Sequence, residues 1–421
     1  VMKFLHTGDL HIGKKLFEAS VLEDQAHILN QIHEIALAEQ VQAVVLAGDL
    51  YDRSVPPAEA VTLLDDFLTR LVQAGIPVIA VSGNHDSPER ISFGEKILEK
   101  QGLYLAGVYE GSLRRVEISD GETKVCFVCL PFVRPAQVEE TTSAGAVARI
   151  LYKEGLLADD ISGQEQDKDT EQKQEKAAAQ ENTAEGPMTG SEGMDVCEVP
   201  MRQVLVTHYF VTGENGQAPQ LADSETSVDV GGIDNIPADV FKAFDYVALG
   251  HIHRCQQVGE GPIWYAGAPM KYSFSETRDT KSVNIVELRG QDPVTVTRRY
   301  LTPIREMRCI KGQLRDLIRP ETVGAEGVSS EDYIQATLTD REELIDPIGV
   351  LRSVYPNVMQ ILSQRYEEAG RDNYVSRLQG RRREPQELFG DFYEMLTGEK
   401  LSESQRELAR DVAERLLSPE G

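Results

Sequence analysis

Four short polar stretches, each directly after an apolar run, constrain the fold of this chain more than any other feature. The clearest is Gly83-Asn84-His85-Asp86, which follows Val78-Ile79-Ala80-Val81 and precedes Pro88. The others are Thr7-Gly8-Asp9-Leu10-His11, Gly48-Asp49-Leu50-Tyr51-Asp52-Arg53 and Gly250-His251-Ile252-His253, with Thr207-His208 as a shorter fifth case. Because ligands of α/β folds bind at the carboxyl ends of the strands, we expect these turns to converge on one site.

The apolar pattern between the turns predicts an α/β fold. Lys3 to Thr7, Ala43 to Ala47 and Val78 to Val81 have the composition of strands, and helical spacings separate them, which gives β-α-β-α-β. Further strands are expected at Gln203 to Thr207, Asp245 to Leu249, Pro262 to Ala266 and Ser282 to Leu288, completing a second half of the sheet. We therefore expect a four-layer α/β/β/α sandwich in a domain spanning residues 1–300.

One internal segment of this domain has no core-forming residues. From Ser162 to Asp195 the sequence contains no Val, Ile, Leu or aromatic residue, and such a segment cannot bury enough surface to offset its ordering entropy. We predict a disordered acidic insertion over residues 158–198. A charged single helix over Glu171 to Glu181 is the alternative.

The pattern changes after about Thr302. Strand-like and helical runs alternate over residues 301–366 and predict a small α+β domain. A polar linker, residues 367–384, contains Arg381-Arg382-Arg383, which suits either a solvated linker or a contact with DNA phosphates. The tail, residues 385–421, has the pattern of two short amphipathic helices, which would either dock on a partner or pack on the body of this chain.

Composition narrows the class of protein. No apolar run approaches the roughly 20 residues that span a bilayer, and the N-terminus lacks the layout of a signal peptide, so we expect a cytoplasmic protein without a membrane partner. The five scattered cysteines are expected to be free thiols, including Cys126 and Cys129. The net charge of −26 disfavours unaided binding of nucleic acid, although bound divalent cations would invert the local sign.

The residue types in the turns suit a pair of divalent metal ions. Two ions about 3.5–4 Å apart need a bridging carboxylate and terminal oxygen and nitrogen ligands, with open positions for water and a phosphate oxygen. The candidate ligands are Asp9, His11, Asp49, Asn84, His208, His251 and His253. Asp49 is the natural bridge, and the absence of thiolates favours manganese or iron over structural zinc.

Three neighbouring residues are candidates for catalysis. His85 is offset by one residue from a ligand, so its imidazole is free to protonate a leaving oxygen or to stabilise charge on phosphorus. Asp52 is expected to orient that imidazole and keep it protonated, and Arg53 to hold a phosphate oxygen. Asp86 is interpreted as a helix N-cap.

The four turns, in this order, resemble those of the calcineurin-like metallophosphoesterase superfamily. Longer stretches are similar to the nuclease subunits of bacterial SbcCD complexes: His-Thr-Gly-Asp-Leu-His-Ile-Gly from His6, Gly-Asp-Leu-Tyr-Asp-Arg-Ser-Val-Pro-Pro from Gly48, and Pro-Gln-Glu-Leu-Phe-Gly-Asp-Phe-Tyr from Pro385. The resemblance spans nearly the whole chain except the acidic insertion.

This resemblance implies a manganese-dependent DNA nuclease of DNA repair, recombination and replication. It implies exonuclease action on double-stranded ends and endonuclease action on single strands and hairpins, gated by the ABC-type ATPase SbcC. It also implies two Mn²⁺ ions, with Mg²⁺ or Fe as substitutes, one held by Asp9, His11, Asp49 and His253 and the other by Asp49, Asn84, His208 and His251. His85 would be catalytic.

The resemblance also implies partners. The domain after Thr302 would be a capping domain that contacts DNA, the terminal helices would bind the coiled coil of SbcC, and the chain would form a homodimer within a heterotetramer.

Two other functions stay open. A metallophosphatase or cyclic-nucleotide phosphodiesterase would keep the chemistry, but such enzymes usually lack a capping domain and a terminal helix pair. A non-catalytic scaffold with the same fold would bind proteins instead, but such scaffolds lose metal ligands, and this chain retains all seven and His85.

Overall fold

The computed structural model describes residues 1–157, 201–213, 216–221, 235–323, 329–342, 344–364, 390, 393, 401–403, 405–406 and 408. The predicted acidic insertion and linker lie outside the described residues, as does nearly all of the predicted helix pair. The chain divides into two compact units, Val1–Glu306 and Met307–Gly421. No helix among the described residues is long and apolar enough to cross a bilayer.

Among the residues that the structure describes, the first unit contains two six-stranded sheets and two small two-stranded pairs. Its strands are β1 (Met2–Thr7), β2 (Lys15–Leu16), β3 (Ala19–Ser20), β4 (Ala43–Ala47), β5 (Val78–Val81), β6 (Leu103–Ala106), β7 (Arg114–Ser119), β8 (Lys124–Leu130), β9 (Met201–His208), β10 (Val211–Thr212), β11 (Ile236–Pro237), β12 (Tyr246–Gly250), β13 (Gln256–Gln257), β14 (Ile263–Tyr265), β15 (Ser282–Leu288) and β16 (Thr295–Tyr300). Its α-helices are α1 (Leu22–Ala38), α2 (Ala58–Gln73), α3 (Pro88–Ile91), α4 (Glu95–Leu98) and α5 (Ser143–Lys153). Short 3-10 turns cover Glu99–Gln101, Pro135–Val138, Ala238–Phe241 and Phe274–Glu276.

The first sheet has the order β16-β15-β1-β4-β5-β6, and the second has the order β13-β14-β12-β9-β8-β7. Strands β1, β4, β5 and β6 run parallel, as do β8, β9, β12 and β14. Helices or loops connect the parallel neighbours, so the carboxyl ends of these strands lie along one edge of each sheet.

The two sheets pack face to face, with helices on their outer faces. Phe4 of the first sheet and Phe127 of the second meet edge to face, with 5.2 Å between ring centroids. Side chains alternate along β4, so that Val45 joins the core between the sheets while Val44 and Leu46 pack with the residues of α1 and α2. Helix α5 covers the second sheet through Val147, Ile150 and Leu151. The predicted α/β/β/α sandwich is therefore confirmed.

One predicted strand lies in a different sheet from the one expected. Ser282–Leu288 does not extend the second half of the core but inserts between β16 and β1, antiparallel to both. Val283 and Ile285 face the helical layer, while Val286 and Leu288 face the core between the sheets. A strand that is apolar on both faces fits the middle of either sheet, so its composition does not select one.

The second unit contains a parallel three-stranded sheet, β17 (Met307–Gly312), β18 (Tyr333–Leu338) and β19 (Val358–Ser363). Its helices are α6 (Leu314–Leu317), α7 (Pro320–Val323) and α8 (Pro347–Arg352). Ile334, Ala336, Leu351 and Tyr355 form the centre of its own core. The residues just before β17 belong to the first unit, because Thr302 and Arg305 hydrogen-bond to α1.

Candidate metal centre

Every predicted ligand follows or ends a strand at the carboxyl edges of the two large sheets. Asp9 and His11 follow β1, Asp49 follows β4, and Asn84 follows β5, all in the first sheet. His208 ends β9, and His251 and His253 follow β12, in the second sheet. A hydrogen bond of 2.8 Å from the His251 amide to Asp9 Oδ1 joins the two edges. The structure therefore brings all seven residues together.

Close approach of the backbone makes this convergence possible. A Cβ on Gly250 would lie 1.9 Å from the Ala47 carbonyl oxygen, and a Cβ on Gly83 would lie 2.1 Å from Asp49 Oδ1. Four of the ligand residues themselves have positive φ angles: Asp9 51°, His11 42°, Asp49 49° and His251 98°. Non-glycine residues adopt this conformation only where the surroundings enforce it, and such residues cluster at functional sites.

At one end of the site, His11 and His253 face each other. Their Nε2 atoms are 3.1 Å apart, and His11 Nε2 is 3.7 Å from Asp49 Oδ2. Ligand atoms of Asp9, His11 and His253 all lie within 4.8 Å of one another. Asp9 Oδ2 is buried, and no donor among the described residues reaches it. A buried carboxylate oxygen without a donor beside two imidazoles fits a metal ion.

At the other end, Asn84 Oδ1 lies 3.0 Å from His208 Nε2 and 3.1 Å from His251 Nδ1. His208 Nδ1 is 2.8 Å from the Ala47 carbonyl, which can only accept, so Nδ1 carries a hydrogen. The Nε2 of a neutral His208 then presents its lone pair to Asn84 and to Asp49 Oδ2, which is 3.3 Å away. This contact of three acceptors is relieved by a positive charge, either a proton on His208 Nε2 or a bound metal ion.

The pKa values of His208, His251 and Asp49 also indicate that the site needs a positive charge. Burial lowers the pKa of His208, but the Asp49 carboxylate outweighs burial and raises it to about 9. Burial, followed by the charge of His208, lowers the pKa of His251 to about 3. Burial opposes ionisation of Asp49, yet His208 and His11 hold its pKa below the ordinary value. Without a metal ion, a proton on His208 supplies the charge that the carboxylate needs.

His85 lies at the open side of this cluster. Its Nδ1 is 2.9 Å from the main-chain carbonyl of Asp52, and its amide donates to Asp49 Oδ1 at 2.9 Å. The Asp52 carboxylate, which is expected to orient the imidazole, pairs with Lys14 Nζ at 2.8 Å, and one of its oxygens lies within 4.8 Å of a ring nitrogen of His85. The side chain of Arg53 is 61% exposed. Asp52 and His85 therefore border the site, and the main-chain carbonyl of Asp52 makes the hydrogen bond to His85. Arg53 contacts the Asp52 carboxylate, with 3.7 Å between Nη2 and Oδ2.

Residues 2–182 match the family model described as calcineurin-like phosphoesterase. The chain carries a calcineurin-like phosphoesterase domain. Residues 303–397 match a second model, described as the C-terminal domain of the type 5 capsule protein repressor. The predictions of a metallophosphoesterase fold and of an enzyme that hydrolyses phosphoesters are thereby confirmed, and the domain implies divalent metal ions.

The resemblance to the nuclease subunits is also confirmed. The chain is 29% identical over 421 residues, all of both chains, to the SbcD subunit of nuclease SbcCD from Staphylococcus epidermidis. It is 27% identical to the same subunit from Staphylococcus saprophyticus, covering 99% of each chain. A dimetal phosphatase from Danio rerio aligns at 13% identity and a TM-score of 0.37, covering 72% of this chain and 98% of the phosphatase.

The interpretation of Asp86 as a helix N-cap is wrong, because Ser87 occupies that position of α3. The buried Asp86 carboxylate accepts hydrogen bonds from the amides of Leu50, Tyr51 and Gly83 at 2.9–3.1 Å. Burial and the charge of Asp49 raise the pKa of Asp86 to about 6. Asp86 thus ties the phosphoesterase turn after β4 to the turn after β5.

Two residues that support the turn after β1 were missed by the sequence analysis. Gln25 Nε2 donates to the His11 carbonyl at 2.8 Å, and Gln25 Oε1 accepts from Gly13 at 3.0 Å. The hydroxyl of Tyr272 donates to the Leu10 carbonyl, and its ring centroid is 5.6 Å from that of His11. The sequence does contain one indication of the role of Gln25, which is a polar residue within the apolar stripe of α1 that continues through Ile28 and Ile32.

A buried ion pair lies behind His253. Lys281 Nζ is 2.5 Å from Glu276 Oε2 and donates to the His253 carbonyl at 2.9 Å. Glu276 Oε1 is 3.9 Å from His253 Nδ1. This pair fixes the phosphoesterase turn after β12, and no pattern in the sequence distinguishes it from surface charges.

Proposed function

We propose that this chain is a metal-dependent DNA nuclease and the nuclease subunit of an SbcCD-type complex. It hydrolyses phosphodiester bonds by a two-metal mechanism, as a double-strand exonuclease and a single-strand or hairpin endonuclease, in DNA repair and recombination. The observation that carries the proposal is the position of Asp49, whose carboxylate lies between two groups of imidazoles. Similarity over the full length to SbcCD nuclease subunits supports DNA as the substrate.

Two Mn²⁺ ions fit the donor set, with Mg²⁺ or Fe as substitutes. Asp9, His11, Asp49 and His253 would hold one ion, and Asp49, Asn84, His208 and His251 would hold the other. Bound ions supply a Lewis acid for a phosphate oxygen and lower the pKa of a coordinated water. The facing acceptors and the buried Asp9 Oδ2 support this assignment.

His85 is proposed to protonate the leaving oxygen. The Asp52 carbonyl accepts from His85 Nδ1, so the second ring nitrogen is the one that exchanges a proton with a substrate. The Asp49 carboxylate holds the His85 main chain at 2.9 Å, which couples the position of the imidazole to that of the proposed bridging ligand. Arg53, an exposed residue whose Nη2 is 3.7 Å from Asp52 Oδ2, is proposed to hold a phosphate oxygen.

Assembly and location are further parts of the proposal. The domain after Thr302 would contact DNA, the terminal helices would bind the ATPase SbcC, and two copies of the chain would form a homodimer within a heterotetramer. An apolar surface near α2 and α4, where Phe93 is 84% and Ile97 is 73% exposed, supports the homodimer. A cytoplasmic location remains a prediction.

The test is digestion of a labelled DNA hairpin by the full chain, with and without SbcC and ATP, in Mn²⁺ and in Mg²⁺. His85→Gln is expected to lower cleavage by about 10²- to 10⁴-fold, because general acid catalysis contributes that much. His33→Gln, partly exposed on α1, is the matched control and should cleave like the parent chain. Metal content should be equal in all three proteins.

Cleavage that depends on Mn²⁺ and is lost only in His85→Gln would support the nuclease. Absence of cleavage by the metal-loaded parent chain would refute the nuclease function and favour small phosphate esters as the substrate class.

A further inference from the structure

A pocket with several cationic side chains adjoins the metal centre. Its wall includes His253, Arg254, Arg278, Lys281, Arg298 and Tyr300. His253 is common to both sites, because its imidazole faces His11 and its carbonyl accepts from Lys281. Four cationic residues in one pocket contrast with the net charge of −26 of the whole chain.

Two of these cations are already neutralised by carboxylates. Arg254 pairs with Asp279, with 2.8 Å between Nη2 and Oδ1. Lys281 pairs with Glu276. These two residues therefore line the pocket but add little net positive charge to it.

The other two cations, Arg278 and Arg298, carry the net charge. Arg298 Nε donates to Ser282 Oγ at 3.1 Å and Nη2 donates to the Thr280 carbonyl at 3.4 Å, which are both neutral acceptors. Within the part of the chain that the structure describes, no carboxylate lies within salt-bridge distance of Arg278 or Arg298. The neutral hydrogen bonds fix the Arg298 guanidinium and leave its charge available to an anion.

The register of β16 adds an aromatic surface beside that charge. Arg298 and Tyr300 are two residues apart and share one face of the strand, while Arg299 points to the other face and pairs with Glu39 at 2.6 Å. The Arg298 guanidinium carbon is 5.5 Å from the ring centroid of Tyr300, and Tyr300 is 62% exposed. An exposed ring next to a fixed guanidinium is the combination that binds single-stranded nucleic acid.

We propose that this pocket binds one nucleotide of a single strand next to the bond that is cut. Arg298 and Arg278 hold its phosphate, and its base stacks on Tyr300. The proposal rests on the proposed nuclease function and names the groups that place the strand in the site. It explains how a strongly acidic chain retains a polyanionic substrate at one place.

Binding is measured by fluorescence anisotropy of a labelled single-stranded oligothymidine with the full chain, all in the His85→Gln background to slow cleavage. Arg298→Gln and Tyr300→Ala are each expected to weaken binding by about tenfold or more. Arg298→Gln should also reduce the slope of log affinity against log salt by about 0.7, the value for one phosphate contact with a single strand. Arg298→Lys should recover part of the affinity because it keeps the charge.

Arg299→Gln is the matched control, because it removes the neighbouring arginine and its ion pair from the opposite face. It should bind as the parent does, and thermal unfolding checks that all variants are folded. Equal affinity and equal salt slope for Arg298→Gln and Arg299→Gln would overturn the proposal, as would absence of binding by the parent chain.

Steady-state kinetics distinguish a role of Arg298 in nucleotide binding from a role in hydrolysis at the metal centre. With His85 restored, Arg298→Gln should raise KM for the oligonucleotide by a larger factor than it changes the hydrolysis of bis(p-nitrophenyl) phosphate, which has no neighbouring nucleotide, and Arg299→Gln should leave both substrates unaffected. An equal loss on both substrates would show that Arg298 acts on the metal centre and would overturn the proposal. If no chain cleaves DNA but the binding pattern holds, the nuclease function fails and the nucleotide pocket stands.

Discussion

The residues that form the site hold conformations that a chain does not adopt without support. Asp9, His11, Asp49 and His251 all have positive φ, at a cost of order 1–3 kcal/mol each. The neighbouring turns supply the compensation, since the amides of Asp9 and His11 donate to the carbonyls of Gly48 and Asp49 at 3.0 and 2.9 Å. The ligands are therefore positioned by the backbone before any ion binds.

A methyl group at Gly250 tests this close approach. Gly250→Ala places a Cβ 1.9 Å from the Ala47 carbonyl, which also accepts the hydrogen of His208 Nδ1. We expect a loss of about 3 kcal/mol of stability or more by urea unfolding, because overpacking against backbone displaces it. Gly261→Ala is the control, with its nearest neighbour at 4.0 Å, and should change stability by less than about 0.5 kcal/mol. Equal effects would contradict the packing argument.

Asp86 provides a second test, because three backbone amides converge on its carboxylate. In Asp86→Asn, one oxygen becomes an NH₂ group that cannot accept, so a buried amide loses its partner. We expect destabilisation by about 1–3 kcal/mol in urea unfolding. Asp66→Asn, on the exposed face of α2, is the control. Unchanged stability of Asp86→Asn would show that the three hydrogen bonds contribute little.

At the scale of elements, the segment from Met270 to Ser282 supports the site from outside the ligand turns. Its Tyr272, Glu276 and Lys281 side chains are buried. Tyr272 donates to the Leu10 carbonyl and Lys281 to the His253 carbonyl, while Glu276 pairs with Lys281. Residue types alone do not place this segment, because Glu and Lys are usually exposed. The ion pair between Glu276 and Lys281 can be inferred only when β15 is known to lie beside β1.

The Glu276–Lys281 pair should show strong coupling between its two partners. Glu276→Gln and Lys281→Met are each expected to cost about 3–5 kcal/mol, because each leaves a buried charge alone. The double variant should cost much less than the sum. Urea unfolding of the four proteins gives the coupling free energy, and additive losses would contradict a buried pair.

The same pair predicts a dependence of stability on pH. Burial opposes ionisation, but the nearby His253 imidazole and the charge of Lys281 lower the pKa of Glu276 to about 2, from 4.5. The ionised group therefore contributes about 3 kcal/mol that is present above pH 4.5 and is lost as pH falls towards 2. Unfolding of metal-free protein from pH 6 to pH 2 should show a shallower fall in Glu276→Gln than in the parent. Parallel curves would exclude Glu276 as the source.

At the scale of the molecule, the sequence was sufficient to predict the layered fold and the convergence of the metal ligands, because strand ends in α/β folds meet at one edge. It was not sufficient for the sheet that Ser282–Leu288 joins, nor for the partners of Asp52 and Asp86. Those depend on contacts between residues far apart in the chain. Polar residues at a turn have several possible partners, and only the packed structure selects among them.

Removal of metal should affect the first unit as a whole. Ligands that bind only the folded chain stabilise it by RT ln(1 + [L]/Kd), which is about 2.7 kcal/mol at 100 times Kd. We expect EDTA to lower Tm by several degrees and Mn²⁺ to restore it, as measured by calorimetry. His253→Gln should reduce the rise. An equal rise in the variant would show that Mn²⁺ binds elsewhere.

The hydrogen bond from His251 to Asp9 joins residues 242 positions apart, and β1 lies between β4 and the much later β15. A ribosome adding about 5–20 residues per second needs roughly 10–50 s to make that stretch. Between residue 85 and residue 207 the growing chain has the first three ligand turns but none of the histidines of the second sheet. A growing chain beside nucleic acid therefore stays without a complete hydrolytic site until nearly all of the domain has been synthesised.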